Sequence, residues 1–255
     1  MFFDTHAHYD DERFNEDRDE IINNAFQSGV TYILNASSSM ASAIDSITLS
    51  QEYSFIYAAV GVHPHHASDI NEGAILTLAD FTSSEKVVAI GEIGLDYYYD
   101  NSPREQQRHW FTRQIDLAKN LKLPIIVHDR DAHEDVMNII KKTNARQVGG
   151  VFHCFSGSVE MAQEALKNNF YISIGGPVTF KNVKKAVEVV KWVPLERLLI
   201  ETDCPYLTPE PNRGKRNDSS YVRLVAEKIA EIRGMDVEEI GAVTTKNAME
   251  LFGIA

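Results

Sequence analysis

Eight short apolar runs, alternating with helix-like stretches along the chain, constrain this sequence more than any other feature. The runs are Phe2–His6, Thr31–Asn35, Phe55–Val62, Val87–Leu95, Pro124–His128, Gly150–His153, Phe170–Ile174 and Leu198–Asp203. Several are unbroken apolar segments, such as Val87-Val88-Ala89-Ile90 and Ile125-Ile126-Val127. Strands buried on both faces of a parallel sheet read this way. Between them, Ser102-Pro103-Arg104-Glu105 has the form of a capping box with proline at the first helical position. The stretch up to Leu121 then puts Phe111, Ile115 and Ala118 on one helix face. Asp131-Ala132-His133-Glu134 opens another helix in the same fashion, and the tail carries helical segments over Ser219–Ile232 and Val237–Leu251, broken at Arg233-Gly234-Met235. Eight alternating units in 255 residues predict an α/β fold, a single (β/α)8 TIM-type barrel domain spanning residues 1–255. A doubly wound open sheet is the competitor, but no G-x-G-x-x-G follows the first strand.

Composition sets limits on function. The chain has no apolar run of membrane-spanning length and no basic-then-apolar leader at its N-terminus, so a cytoplasmic, membrane-free protein is expected. Its two cysteines, Cys154 and Cys204, are too few for a disulfide framework. A formal net charge of −12 argues against a protein that coats nucleic acid. It leaves room for an enzyme that reaches phosphates through bound cations.

The strand ends carry the chemistry. The first ends in His6-Ala7-His8, and residues at i and i+2 of a strand share a face. The fourth ends in Gly91-Glu92-Ile93-Gly94, the fifth in His128, the sixth in His153 and the eighth in Glu201-Thr202-Asp203. Barrel enzymes build their sites at these C-terminal ends. Any one of these histidines alone is more simply read as a hydrogen-bonded structural residue. Six nitrogen and oxygen donors at one barrel end, however, predict two divalent ions rather than one tetrahedral zinc. Glu92, central in strand order, is the natural bridge; His6, His8 and Asp203 complete one ion, His128 and His153 the other. Zinc, manganese, iron or nickel suits this donor set, and magnesium a weaker site that keeps its waters. Cys154 and Cys204 follow expected ligands and so point to the opposite face, as inert buried thiols.

The segments Asp4-Thr5-His6-Ala7-His8, Gly91-Glu92-Ile93-Gly94-Leu95-Asp96-Tyr97-Tyr98, Pro124-Ile125-Ile126-Val127-His128, His153-Cys154-Phe155-Ser156-Gly157 and Glu201-Thr202-Asp203-Cys204-Pro205-Tyr206-Leu207 resemble the signature blocks of the TatD family of metal-dependent deoxyribonucleases, within the wider amidohydrolase-like barrels. The resemblance covers nearly the whole chain, in order. It implies that His6, His8, Glu92, His128, His153 and Asp203 are metal ligands, and that the substrate is DNA. One block departs: after Arg213-Gly214-Lys215-Arg216-Asn217 the family continues Glu-Pro, and this chain continues Asp218-Ser219, either of which can cap the next helix.

Phosphodiester hydrolysis needs an activated water, Lewis-acid contact to non-bridging oxygens and stabilisation of the leaving oxygen. The expected catalytic residues are Asp203, as ligand and water-orienting base, and Glu92. Expected substrate contacts are His63 and His65 after the third strand, Arg130 beyond His128, and the basic loop Arg213, Lys215 and Arg216. Tyr97, Tyr98 and Tyr99 can stack on unpaired bases or pack against the rim. With no basic stripe for duplex, a deoxyribonuclease acting exonucleolytically on single-stranded or frayed 3′ or 5′ ends is expected, without a stable protein partner. Two alternatives stay open: a binuclear hydrolase of small esters, amides or phosphoesters, and a non-catalytic metal-binding protein.

Overall fold

The computed structural model describes residues 1–254. The strands are β1 (Phe2–Ala7), β2 (Val30–Ala36), β3 (Ile56–Val60), β4 (Val87–Asp96), β5 (Ile125–Arg130), β6 (Gly150–Phe152), β7 (Phe170–Ile174) and β8 (Leu198–Ile200). The helices are α1 (Arg18–Gln27), α2 (Met40–Glu52), α3 (Glu72–Phe81), α4 (Arg104–Leu121), α5 (His133–Thr143), α6 (Val159–Lys167), α7 (Lys184–Trp192), α8 (Val222–Arg233) and α9 (Val237–Phe252). Strand order follows chain order from β1 to β8, with a helix after each strand, the topology of the expected (β/α)8 barrel. Among the described residues no helix is long and apolar enough to cross a membrane.

The chain divides into two compact units. One comprises Met1–Asn35, His153–Ala162 and the segment from Ile172 onward; the other comprises Ala36–Phe152 and Gln163–Tyr171. In the first, β1 and β2 pair in parallel and Ala7 bridges Cys204, bringing the residues after β8 beside β1. Phe2 and Phe3 are buried beneath α8 and α9, the Phe3 ring lying 6.2 Å from that of Phe252. Gly241 lets α9 approach this closely, since a Cβ there would meet the Phe2 ring at 2.6 Å. In the second unit, β3, β4, β5 and β6 pair in parallel with Ile90, Ile125, Ile126 and Val127 fully buried. Phe111 and Ile115 of α4 are buried with them, as the helical spacing predicted. Burying such side chains contributes about 1.5–3 kcal/mol each.

Three local expectations need correction. Ser102 does not cap α4: its hydroxyl donates to the His65 carbonyl at 2.9 Å and accepts the Ser68 N–H at 3.1 Å, and the helix starts at Arg104 without a side-chain cap. A buried hydroxyl that ties two loops together is not free to cap. Asp131 likewise leaves α5 uncapped; it takes a left-handed φ of 54°, and Asp129 instead accepts from His133 Nδ1 at 2.9 Å. The eighth strand ends at Ile200, short of Asp203, because the Asp4 carboxylate accepts the Thr202 N–H at 2.8 Å and draws the chain out of the sheet. The break after α8 is where it was expected, with Gly234 at φ 66°.

Candidate metal centre

In the first unit, His6 lies on β1 and His8 just beyond its end, and the i, i+2 spacing brings their rings together. Their Nε2 atoms lie 3.2 Å apart. Asp203 Oδ1 sits 3.3 Å from His8 Nε2 and 3.8 Å from His6 Nε2. Burial opposes ionisation of Asp203, but the hydrogen bond from His8 and the nearby charges of His8, His153 and His6 outweigh it and hold its carboxyl low. His153 stacks on His6 with ring centroids 4.0 Å apart, and its Nδ1 lies 3.4 Å from Glu201 Oε1. Glu201 is fully buried; Oε1 accepts the Cys154 N–H at 2.7 Å, whereas Oε2 has no hydrogen-bond partner.

This geometry fits a divalent cation. Imidazole nitrogens facing each other across 3.2 Å repel unless a proton or cation lies among them, and a buried carboxylate oxygen without a donor is costly. Imidazole and carboxylate are the donors that zinc and its neighbours take. Two groups of donor atoms, each within 4.8 Å of one another, meet here: His6, His8 and Asp203, and His6, His153 and Glu201.

The buried carboxylate of Asp4 frames the site. It accepts from the Thr202 hydroxyl and the Ser219 hydroxyl, both at 2.6 Å, besides the Thr202 N–H. Burial pushes its carboxyl up to about 7 against the hydrogen bonds from Ser219 and Thr202. Asn217, also buried, donates to the carbonyls of Thr202 and Tyr206. The Asp218-Ser219 departure thus has two consequences: Asp218 caps the next turn through the Ser220 N–H, and Ser219 anchors Asp4.

The second unit holds its own donor groups: His63, Glu92 and His128, and His63, His65 and Asp96. Glu92 Oε1 lies 2.7 Å from His128 Nδ1 and 3.7 Å from His63 Nε2. His63 Nδ1 accepts the His65 N–H at 3.1 Å, which turns its Nε2 to Glu92. Asp96 is buried at the end of β4, and its Oδ2 accepts from His65 Nε2 at 3.0 Å and His128 Nε2 at 3.1 Å. Burial opposes its ionisation, yet the hydrogen bonds from His128 and His65 hold its carboxyl well below the usual range. Gln107 of α4 fixes the Asp96 backbone on both sides, accepting its N–H and donating to its carbonyl.

Of the expected substrate contacts, His63 is buried in the second cluster and His65 at its edge. Arg130 is exposed, and Arg213 lies over the Phe180 ring at 4.2 Å. Lys215 is exposed, while Arg216 is committed to a two-pronged pair with Asp17 at 2.6 and 3.0 Å. Cys204 is buried, its thiol pushed up by burial, but Cys154 is only half-buried. Two carboxylates passed over by the sequence reading are Asp96 and Glu201. Asp96 closes the apolar strand β4, and a buried acid closing an apolar strand is the same signal that singles out Glu92. Glu201 was visible only as the neighbour of Asp203.

The TatD related DNase family model matches residues 3–253. An uncharacterized metal-dependent hydrolase, YabD of Bacillus subtilis, is 52% identical over 254 residues and is covered end to end. The 3'-5' ssDNA/RNA exonuclease TatD of Escherichia coli is 34% identical over 259 residues, covering 99% of both chains. Among solved structures, the TatD homologue YjjV of Escherichia coli matches with a TM-score of 0.93 at 30% identity, covering 100% of this chain and 98% of its own.

Proposed function

The chain belongs to the TatD related DNase family of metal-dependent hydrolases, and from that premise we propose that it hydrolyses DNA phosphodiester bonds, working inward from single-stranded or frayed ends. The observation that carries the reading is the pair of buried imidazole nitrogens 3.2 Å apart with the Asp203 carboxylate 3.3 Å from one of them. The named activity of the TatD relative supports the substrate class. So does the charge of −12, which disfavours tracking along duplex and suits a short terminal segment.

In this proposal His6, His8 and Asp203 in the first unit would hold one ion, and His63, Glu92 and His128 in the second would hold another. Bound divalent cations supply Lewis-acid contact to a phosphoryl oxygen and lower the pKa of water. The chain supplies the rest. The end of β1 and the residue that follows it bring His6 and His8 together, so neither needs to reorganise. Asp203 turns Oδ1 to those imidazoles, leaving Oδ2 to orient the attacking water and accept its proton. Asp96 holds the His128 ring in place through Nε2, while Glu201 sets a carboxylate oxygen 3.4 Å from His153 Nδ1. His65, half-buried at the edge of its cluster and paired with Asp96 through Nε2, would contact the substrate there.

The test is a side-by-side assay of protein reconstituted with zinc, manganese, nickel or magnesium. A single-stranded DNA oligonucleotide is compared with ester, amide and phosphomonoester substrates. Preferential, chelator-sensitive release of nucleotides from the oligonucleotide is expected. Intact DNA with every ion, alongside turnover of a small ester or amide, would replace this reading with that of a small-substrate hydrolase.

A further inference from the structure

The three tyrosines after β4 have different fates. Tyr97 is anchored: its hydroxyl donates to Asp135 at 2.5 Å, Arg108 donates to it at 3.0 Å, and Arg104 covers its ring at 4.1 Å. Tyr98 and Tyr99 are not, and remain 59% and 54% exposed. Their rings stand perpendicular, 4.9 Å between centroids. The Arg130 guanidinium lies over both, 4.2 Å from the Tyr98 centroid and 4.7 Å from that of Tyr99.

Two features separate this group from ordinary surface packing. The first is the state of Arg130. Arg13, Arg104, Arg108, Arg113, Arg216 and Arg223 are each paired with a carboxylate. Arg130, in a chain with 37 acidic residues, has no carboxylate partner among the described residues, a state it shares with Arg146 and Arg213, and is exposed. A guanidinium stacked on a ring by its face still offers that edge to a phosphate. The second is the tie to the metal centre. Asp96 Oδ1 accepts the N–H groups of Tyr98 at 3.0 Å and Tyr99 at 2.8 Å, while Oδ2 holds His65 and His128. One buried carboxylate therefore fixes both the histidines and the turn that carries the two rings. The Tyr99 ring also meets the His65 ring edge-on at 5.4 Å.

We propose that Tyr98, Tyr99 and Arg130 form a nucleotide-binding platform beside the His63–Glu92–His128 cluster. An unpaired base stacks on the open face of Tyr98, and its phosphate lies on the guanidinium edge of Arg130. Tyr99 backs the pair and connects it to His65. Stacking tolerates any base, because every base has a π face, so the platform selects an unpaired end rather than a sequence. A paired base cannot reach it. The inference rests on the nucleic-acid reading of the site and names where the strand is gripped.

The test is equilibrium binding by fluorescence anisotropy, with chelator present so that no turnover occurs. The probes are a labelled oligothymidylate and the same backbone carrying abasic residues. Wild-type protein binds the base-bearing strand more tightly. Tyr98→Ala, at an exposed position where the fold does not depend on the ring, weakens that binding about tenfold and abolishes the preference over the abasic strand. Tyr98→Trp restores both. Arg130→Met weakens both strands alike and reduces the slope of log affinity against log salt by about 0.7, the value for one phosphate on a single strand. An unchanged base preference in Tyr98→Ala, an unchanged salt slope in Arg130→Met, or no binding by the wild type overturns the platform. Digestion with metal is run in parallel. Tyr98-dependent binding without cleavage keeps the platform and overturns the nuclease reading; cleavage with binding indifferent to Tyr98 does the reverse.

Discussion

Replacing Asp96 tests whether a single carboxylate organises the second cluster. Its oxygens accept four hydrogen bonds in a site where only 1% of the side chain is exposed: two from backbone N–H groups of Tyr98 and Tyr99, and two from imidazoles of His65 and His128. Asn at this position keeps one carbonyl oxygen for the turn but turns an NH2 group toward the imidazoles, which must then accept through Nε2 as neutral rings. Two charge-assisted bonds of about 1.5–3 kcal/mol each give way to neutral ones of about 0.5–1.5, so Asp96→Asn costs about 2–3 kcal/mol. Asp96→Ala strands all four donors at about 1–3 kcal/mol each, at least about 4 kcal/mol, a large part of an ordinary stability of about 5–15 kcal/mol. Urea unfolding of chelated protein, followed by circular dichroism, measures both. The expected order is wild type, then Asn, then Ala, with unchanged slope. Asn and Ala variants equal to each other and within about 0.5 kcal/mol of wild type would refute the reasoning.

Other expectations follow from the same geometry. Gly94 sits at φ 152° where a Cβ would collide with the His128 carbonyl oxygen, so Gly94→Ala is expected to cost more than about 2 kcal/mol, seen as a lowered urea midpoint. Adding zinc or manganese at about a hundred times its dissociation constant should stabilise the protein by about 2.7 kcal/mol; calorimetry should show that gain shrink in the His6→Asn, His8→Asn double variant. Cys154, half-buried, should react with a thiol reagent in the native state well before Cys204, which burial shields and holds in the thiol form; equal labelling rates in a time course would contradict this.

The fold was legible because hydrophobic burial writes itself along the strands: all eight apolar runs became strands, with Phe170–Ile174 matching residue for residue. Helix starts were less legible, since Ser102 and Asp131 carry capping side chains whose hydrogen bonds or backbone angles tertiary contacts set otherwise. The His6, His8 and Asp203 group could be read from strand-end positions, because the i, i+2 spacing fixes a face. Asp96 carries the same strand-end signal, but neither its role nor that of Glu201 is legible there, as each depends on which imidazole nitrogen it meets across the sheet. The basic loop shows the same limit: sequence shows the charge of Arg216 but not that Asp17, nearly two hundred positions away, pairs with it.

In the proposed reading these histidines and carboxylates cut phosphodiester bonds with metal help. The most direct measurement is digestion of end-labelled single-stranded DNA by metal-reconstituted protein, wild type against Glu92→Ala. Even partners of metal ligands are worth about 10–100-fold, so loss of Glu92, placed between His63 and His128, should cut the rate more than about a hundredfold while wild-type activity disappears with chelator and returns with the ion. Digestion that survives chelation, or that Glu92→Ala leaves at the wild-type rate, would contradict the account.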